Sequence, residues 1–313
     1  MEIARTLTAR QTWTLRLPRG RSLRLGERPL VMGILNLTPD SFSDGGLWSS
    51  PHQAVEGGLA MLAAGADMLD LGAESTRPGG GVYGSGAATV PAAEETARLL
   101  PVLTALRRAT EAPLSVDTRK REVARQALAA GADLINDVSA LADPDLGRAV
   151  AAAGCPLVLM HSRGDLPTMQ SGISFRDLLG EVREELTAAI ERARALGVDE
   201  EQILLDPGIG FGKTAEQNLA LLARLDELAP LGRPLLVGAS RKSFLSRAVE
   251  ASGGPALPPT ERLAGSLAAA AWAAEHGAAV LRVHDVAETA QLLTVWRAIA
   301  RERAAARSEA AEA

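Results

Sequence analysis

The sequence predicts an α/β protein, a TIM (β/α)8 barrel with a short N-terminal β-hairpin. Short apolar runs alternate with longer Ala- and Leu-rich stretches, eight such runs occur, and a glycine-containing tetrapeptide recurs between them. Alternating strand and helix patterns are typical of a parallel sheet with crossover helices, and eight units close a barrel. A length of 313 residues fits one such barrel as a single domain.

The two ends of the chain lack the barrel pattern. Residues 11–28 alternate apolar and polar side chains on both sides of Pro18 to Arg21, which predicts a β-hairpin, and residues 1–28 are therefore assigned to an N-terminal extension. From about Arg301 the chain is rich in Ala, Glu and Arg without a core-facing stripe, which predicts a frayed tail at 301–313. The barrel is expected to occupy residues 29–300.

The eight apolar runs are the predicted barrel strands. They lie at residues 30–35, 68–71, 114–116, 134–135, 157–160, 203–205, 235–237 and 280–283. The clearest helical stretches between them are residues 51–64, 91–109, 175–196 and 260–275. The repeat, at residues 64–67, 130–133 and 276–279, stands each time between a helix and an apolar run. Glycine just past a helix adopts the left-handed cap conformation, so the repeat is predicted to be architectural.

Composition and charge exclude several classes of function. The net charge of −5 comes from a balanced mixture without a basic stripe, which argues against a nucleic-acid partner. No apolar stretch approaches the length of a membrane span and no leader pattern is present, so a cytoplasmic protein is expected. The single cysteine, Cys155, lies in an apolar run and is interpreted as a buried thiol rather than a nucleophile. Four histidines without HxH or HExxH spacing argue against a transition-metal cluster, so any metal would be Mg²⁺ held largely by substrate phosphates.

Polar side chains stand at the ends of all eight predicted strands. These residues are Asn36, Asp70, Asp117, Asn136, His161, Asp206, Ser240 and His284. One polar strand end can simply mark the start of a loop, but eight in succession predict a site at the C-terminal mouth of the barrel. The basic residues Arg241 and Lys242 follow the seventh strand and Arg282 lies at the end of the eighth, where such barrels usually bind phosphate.

Three loops at the predicted mouth are more specialised than ordinary connections. The loop at 36–46 mixes carboxylates, hydroxyls and glycines, and the loop at 74–81 places an arginine beside glycines; a solvated turn and a disordered loop are the plainer alternatives. The loop at 206–213 has closely spaced glycines that let a flat ligand approach the backbone. It is not a nucleotide motif, because Pro207 replaces the first P-loop glycine and Lys213 replaces the last glycine of GxGxxG.

Together these segments resemble the dihydropteroate synthase family. The matching segments are residues 32–46, 74–79, 116–118, 135–137, 159–161, 206–211, 240–243 and 282–286, in the order in which the family has them. The resemblance implies a pterin pocket formed by Asp117, Asn136, Met160, Asp206, Phe211 and Lys242. It implies diphosphate binding by Asn36, Arg282 and His284, with Asn36 also binding Mg²⁺. It places p-aminobenzoate, with its covering loops, near Phe42, Asp44, Thr76, Arg77, Pro78, Ser240 and Ser243.

The activity implied by this resemblance is a transferase reaction of folate biosynthesis. It condenses 6-hydroxymethyl-7,8-dihydropterin pyrophosphate with p-aminobenzoate, giving 7,8-dihydropteroate and pyrophosphate. A homodimer and competition by sulfonamides, which resemble p-aminobenzoate, are also expected. Small departures from the family pattern occur at Ala73, at Arg119-Lys120 and at residues 161–164. Two alternatives stay open: a pterin-binding methyltransferase of the corrinoid type, and a paralogue that binds pterin without turnover.

Overall fold

The computed structural model describes residues 11–38, 50–74, 90–164 and 172–312, with side chains described as far as Arg303. Strands in this part of the chain are β1 (Trp13–Leu17), β2 (Arg21–Leu25), β3 (Leu30–Asn36), β4 (Met68–Gly72), β5 (Leu114–Asp117), β6 (Leu134–Asp137), β7 (Leu157–Met160), β8 (Ile203–Asp206), β9 (Leu235–Val237) and β10 (Ala278–Val283). Helices are α1 (Pro51–Ala63), α2 (Ala92–Ala109), α3 (Arg121–Ala130), α4 (Pro144–Ala153), α5 (Leu178–Ala195), α6 (Ala215–Ala223), α7 (Ser243–Ala251), α8 (Leu263–Glu275) and α9 (Val286–Glu312).

Strands β3 to β10 form a closed barrel of eight parallel strands, and β1 pairs with β2 in a separate antiparallel hairpin. The predicted fold class is therefore confirmed. Several strands are longer than predicted, because polar residues at their C-terminal ends continue the ladder: β6 runs on through Asn136 and Asp137. The last helix continues to Glu312, so the segment predicted to fray has a helical backbone, and fraying stays a prediction.

The hairpin covers the N-terminal end of the barrel. In both of its strands every second residue is buried, and the apolar face consists of Leu15, Leu17, Leu23 and Leu25. These leucines belong to one cluster with the inward side chains of the barrel: Leu30, Met32, Met68, Leu134, Val158, Leu204, Leu236, Ala279 and Val280. The N-terminal end of the barrel interior is thus filled with apolar side chains. A polar functional site is therefore expected at the opposite, C-terminal end.

The glycine repeat has the architectural role predicted for it. Gly65, Gly131 and Gly277 all have positive φ angles between 97° and 111°. The aspartates of the first two copies add an anchor: Asp67 accepts a hydrogen bond from Val31 N at 2.8 Å, and Asp133 accepts one from Leu114 N at 2.9 Å. Each carboxylate therefore ties the start of its own strand to the start of the preceding strand.

Arginines neutralise both of these aspartates. Arg28 donates to Asp67 through Nη1 at 2.9 Å and also through Nη2. Asp133 is fully buried and forms ion pairs with Arg19, Arg21 and Arg107. Because Arg19 and Arg21 belong to the hairpin, this contact also attaches the hairpin to the barrel.

We expect Asp67→Ala to lower the free energy of unfolding by about 2 kcal/mol, because Val31 N and the Arg28 guanidinium lose a charged acceptor. Urea unfolding followed by circular dichroism measures the change. Glu27→Ala is the matched control, since Glu27 also pairs with an arginine, Arg24, but both side chains are more than half exposed. The control is expected to leave stability almost unchanged. Equal effects of the two variants would contradict a specific anchoring role for Asp67.

Cys155, two residues before β7, is 1% exposed, as expected for a structural thiol. Burial raises the pKa of its thiol to about 12, so it stays protonated and unreactive at neutral pH. In the described ranges, no helix combines the length and the apolar character needed to cross a membrane.

Candidate active site at the barrel mouth

Alternation along the strands brings the predicted polar residues to the inside of the C-terminal mouth. Val158, two residues before Met160, and Leu204, two residues before Asp206, both belong to the inner apolar cluster. Residues two apart on a strand share a face, so Met160 and Asp206 also point inward. These two residues are direct register partners on neighbouring strands. Asp117 and Asn136 are likewise partners on β5 and β6.

Arg282 of β10 connects the carboxylates on the opposite side of the mouth. Its Nε donates to Asp70 Oδ2 at 2.6 Å, and its Nη2 donates to Asp117 Oδ2 at 3.0 Å. Asn136 Nδ2 donates to the same Asp70 oxygen at 3.0 Å. Asp70 is completely buried, and its Oδ1 has no hydrogen-bond partner among the described residues. One guanidinium and one amide therefore converge on a buried carboxylate beneath the mouth.

Asp117 has an unusual protonation equilibrium. Burial raises its pKa to about 8, against the opposing charge of Arg282, and Asp70 adds to the upward shift. Near neutral pH the carboxyl group can therefore act either as an acceptor or, when protonated, as a donor. Such a group is suited to binding a heterocycle whose edge carries both donors and acceptors.

One wall of the mouth consists of Asp206, Lys242 and Phe211. Burial raises the pKa of Asp206, with Lys242 opposing, and burial lowers the pKa of Lys242 to about 8, with Asp206 opposing. Lys242 Nζ donates to Ile209 O and lies 4.5 Å from the centroid of the Phe211 ring. The wall thus presents a carboxylate, an ammonium and an aromatic face together.

Two glycines allow the turn between Asp206 and Phe211 to close. Gly208 has φ of +68°, and a Cβ there would lie 1.8 Å from His161 O. Gly210 has φ of +84°, and a Cβ there would lie 2.8 Å from Lys242 Cδ. Asp206 Oδ1 fixes the turn by accepting from Gly208 N at 2.7 Å. The glycines permit a close approach, as predicted, and the groups approached here are the His161 carbonyl and the Lys242 side chain.

Ser240, which follows β9, contacts His284, which follows β10. Ser240 Oγ lies 3.1 Å from His284 Nδ1 and accepts from His284 N at 3.2 Å. Neighbouring Arg241 instead pairs with Asp285, at 3.1 Å between Nε and Oδ2, and this hydrogen bond raises the pKa of Arg241. The Ser-Arg-Lys-Ser segment therefore contributes Ser240 and Lys242 to the mouth, and Arg241 to an ion pair beside it.

Some of the predicted site residues cannot be placed. Phe42, Asp44, Thr76, Arg77 and Pro78 lie outside the described residues. Asn36 is described at the C-terminal end of β3, opposite Gly72, and Ser243 begins α7. The part of the p-aminobenzoate site predicted on the first two loops accordingly stays a prediction.

Glu74 and Val90, the described residues on either side of positions 75–89, are joined by the Glu74 carboxylate. Glu74 accepts from Val90 N at 2.9 Å, and its other oxygen accepts from Arg119 Nε at 3.0 Å. Lys120 Nζ lies 2.9 Å from Glu74. Although burial opposes it, these hydrogen bonds lower the pKa of Glu74. Arg119 and Lys120 thus hold an ionised Glu74 just before position 75.

Two residues of this region were missed in the sequence. Asp70 was noted only as a polar strand end, although its position within an apolar strand was a signal for a buried charge. Lys213 is 2% exposed, and its Nζ contacts His161, Gly208 and Phe211 behind the pocket wall. A lysine in a glycine-rich loop reads as a surface charge, so no sequence signal marked its burial.

Metal binding can be tested only through the donor atoms present. In the ranges the structure describes, no group of three or more His, Cys, Asp or Glu side chains could hold an ion. Asn36 ends β3 beside β4, the strand of Asp70, and both side chains offer oxygen. Mg²⁺ prefers oxygen ligands and is often held by one or two protein groups plus substrate phosphates. Among the described residues, the oxygen donors at the mouth suit that mode of binding.

Comparisons with known proteins point to one family. A family model described as pterin binding enzyme matches residues 32–284. The dihydropteroate synthase of Synechocystis sp. is 47% identical over 287 residues, covering 90% of this chain and 95% of that protein. A structure of Xanthomonas albilineans dihydropteroate synthase with 4-aminobenzoic acid has a TM-score of 0.81 and 47% identity, covering 92% and 98% of the two chains. A Yersinia pestis dihydropteroate synthase structure with a sulfonamide drug complex has a TM-score of 0.84 and 43% identity, covering 93% and 100%.

Proposed function

The chain belongs to the dihydropteroate synthase family of pterin-binding enzymes, and from this premise we propose how its residues carry out the reaction. The protein is a transferase that joins 6-hydroxymethyl-7,8-dihydropterin pyrophosphate to p-aminobenzoate, giving 7,8-dihydropteroate and pyrophosphate. The observation that carries the residue assignment is the convergence of Asp117, Asn136, Asp206, Lys242 and Arg282 at one end of the barrel. A cytoplasmic location is part of the proposal.

Asp206 is the proposed acceptor for the edge of the pterin that carries an amino group beside a ring N–H. One carboxylate accepts both hydrogens in a bidentate pair. Lys242 and Asn136 donate to the ring acceptors. Asp117 binds the remaining edge, accepting a hydrogen bond when ionised and donating one when protonated. Met160, 2% exposed, and the Phe211 ring line the slot.

The diphosphate is assigned to Asn36, Arg282 and His284. Mg²⁺, when bound through Asn36 and the diphosphate, would stabilise the charge of the departing pyrophosphate. Arg282 and His284 are two residues apart at the end of β10 and share a face, so both can donate to the same leaving group.

The proposed mechanism proceeds by loss of pyrophosphate from the exocyclic methylene, followed by attack of the aryl amine on the delocalised cation and loss of one proton from that amine. This sequence needs stabilisation of the leaving charge more than a strong base. The p-aminobenzoate is assigned to Ser240 and Ser243 with Thr76, Arg77 and Pro78, and the loop bearing Phe42 and Asp44 is proposed to exclude water. Sulfonamides are proposed to compete at this site, which the likeness to the Yersinia pestis complex supports.

Pyrophosphate release is expected only when the pterin pyrophosphate, p-aminobenzoate and Mg²⁺ are all present. A coupled assay with each component omitted in turn measures this. Pterin binding without release would indicate the paralogue that binds but does not turn over. Methyl transfer from a methyltetrahydrofolate to a corrinoid protein, without pyrophosphate release, would indicate the alternative enzyme.

A homodimer is proposed to form through three adjacent helices. Among the described residues, the large hydrophobic side chains that are exposed are Leu219 of α6, Trp272 of α8, and Val295 and Ile299 of α9, at 41%, 48%, 55% and 64%. Helix α8 packs against both α6 and α9, so these side chains lie on one side of the barrel. Exposed apolar side chains grouped on one side of a protein are typical of an interface, and a second copy of this chain is the proposed occupant.

Ile299→Glu is expected to reduce the mass measured by light scattering to that of one chain, because a carboxylate would be buried unpaired in the interface. Ala152→Glu is the matched control, since Ala152 is exposed on α4, across the barrel from β10. A monomeric wild type, or loss of the dimer in both variants, would contradict this interface.

A further inference from the structure

Lys213 lies in the core behind the pterin pocket, and none of the steps above uses it. Its Nζ lies 2.8 Å from His161 Nδ1, 3.0 Å from Gly208 O and 3.1 Å from Phe211 O. An ammonium has three N–H donors and no acceptor, so these three contacts use all of them. The residue is fully satisfied, and its contacts are specific.

His161 fixes the orientation of this ammonium. An ammonium at Lys213 donates to His161 Nδ1, and Nε2 of the same ring lies 3.0 Å from Glu185 Oε2. Burial lowers the pKa of His161, in keeping with a neutral ring. Glu185 in turn accepts from Arg163 Nε at 2.9 Å. A row of polar contacts thus runs from the half-exposed Glu185 to the inner turn.

The two carbonyls held by Lys213 are the first and last of the turn from Gly208 to Phe211. Between them lies Ile209 O, the acceptor of Lys242 Nζ. At the end of the turn stands Phe211, whose ring lies under the Lys242 ammonium. By donating to the carbonyls at both ends of the turn, Lys213 fixes the Ile209 carbonyl and the Phe211 ring, the two groups that hold Lys242 in the pocket.

Burial of a lysine at this position costs folding free energy. Burial lowers the pKa of Lys213 to about 7, with Asp206 opposing. An apolar side chain of similar volume often stabilises a core at least as well as a buried charge. The cost is explained if the ammonium is needed to shape the turn.

We propose that Lys213 is a positioning residue for pterin recognition, acting through the turn that carries Ile209 O and Phe211 and thereby through Lys242. The proposal rests on the pterin assignment of Asp206, Phe211 and Lys242 made above. Its effect is expected on the pterin side of the mouth and not on p-aminobenzoate, because none of its contacts reaches Ser240 or His284.

Lys213→Met, which keeps the length of the side chain without its donors, is the primary test. We expect the dissociation constant of a pterin analogue, measured by calorimetry on protein with wild-type circular dichroism, to rise about tenfold, the equivalent of one lost charge-assisted hydrogen bond. The Michaelis constant of p-aminobenzoate should change less than twofold. In protein labelled with 4-fluorophenylalanine, the ¹⁹F resonance of Phe211 should shift. Glu184→Gln, at an exposed position of the same helix α5 that faces none of these groups, is the control and should do neither.

Lys213→Gln retains two N–H donors and is expected to show a smaller loss; it carries the same test if the methionine variant does not fold. An unchanged dissociation constant and an unshifted Phe211 resonance would overturn the proposal. Equal losses for the pterin analogue and p-aminobenzoate would also overturn it, because they would indicate a general loss of structure. Asp206→Asn is measured in parallel: if it too leaves pterin binding intact, the pocket assignment fails, whereas a loss there alone refutes only the role of Lys213.

Discussion

Asp206→Asn is expected to weaken the binding of a pterin analogue by about 2–4 kcal/mol, from loss of a charge-assisted pair and an unpaired buried group. The Oδ1 of the new amide can still accept from Gly208 N, as Asp206 Oδ1 does at 2.7 Å. Its NH₂ group must then face a pterin edge that presents only donors. The turn is preserved and recognition is lost. Calorimetry with the analogue measures the change in the dissociation constant.

Asp137→Asn is the matched control for this prediction. Asp137 is also a fully buried aspartate at the end of a barrel strand, but it accepts from Ser139 N at 2.8 Å and Leu141 N at 2.6 Å. Its substitution is expected to lower stability while leaving the dissociation constant unchanged. If Asp206→Asn bound the analogue as the wild type does, the pocket would have to lie elsewhere.

The barrel was predictable because its signals are local and repeated. Each strand carries its own apolar run, and each of Gly65, Gly131 and Gly277 adopts the positive φ that a helix cap requires. The position of polar side chains at the mouth was predictable for the same reason: a strand end fixes which residues reach the mouth, and this places Asp117, Asn136 and Asp206 there.

The pairing of charges was not predictable, since it depends on contacts between residues distant in the chain. Asp70 and Arg282 are separated by 212 positions, and Glu74 and Arg119 by 45. The burial of Lys213 depends on His161, which reaches it from another strand end across 52 positions. A sequence pattern indicates the periodicity of a single helix or strand. It does not indicate which polar groups of different elements come into contact once the barrel closes.

Arg282→Ala is expected to lower the turnover number by about 10²-fold, typical of deleting one preorganised donor to a developing anion. Charge accumulates on the diphosphate as its bond to the pterin breaks, so a guanidinium there favours the transition state over the ground state. His284→Ala should have a weaker effect, because an imidazole has fewer N–H donors than a guanidinium.

Arg282 also has a structural role, and the experiment must separate the two. It pairs with Asp70 and Asp117, so its removal leaves two buried carboxyl groups without their cation and should lower the melting temperature. Asp70→Asn weakens the ion pair while keeping the guanidinium, and it should therefore lower the melting temperature with a smaller loss of turnover. Single-turnover rates on folded protein, measured beside thermal melts, distinguish these effects. Should Arg282→Ala melt at a lower temperature yet convert substrate at the wild-type rate per folded molecule, Arg282 would be an ion-pair partner alone, and the leaving charge would have to be stabilised by other groups of the mouth.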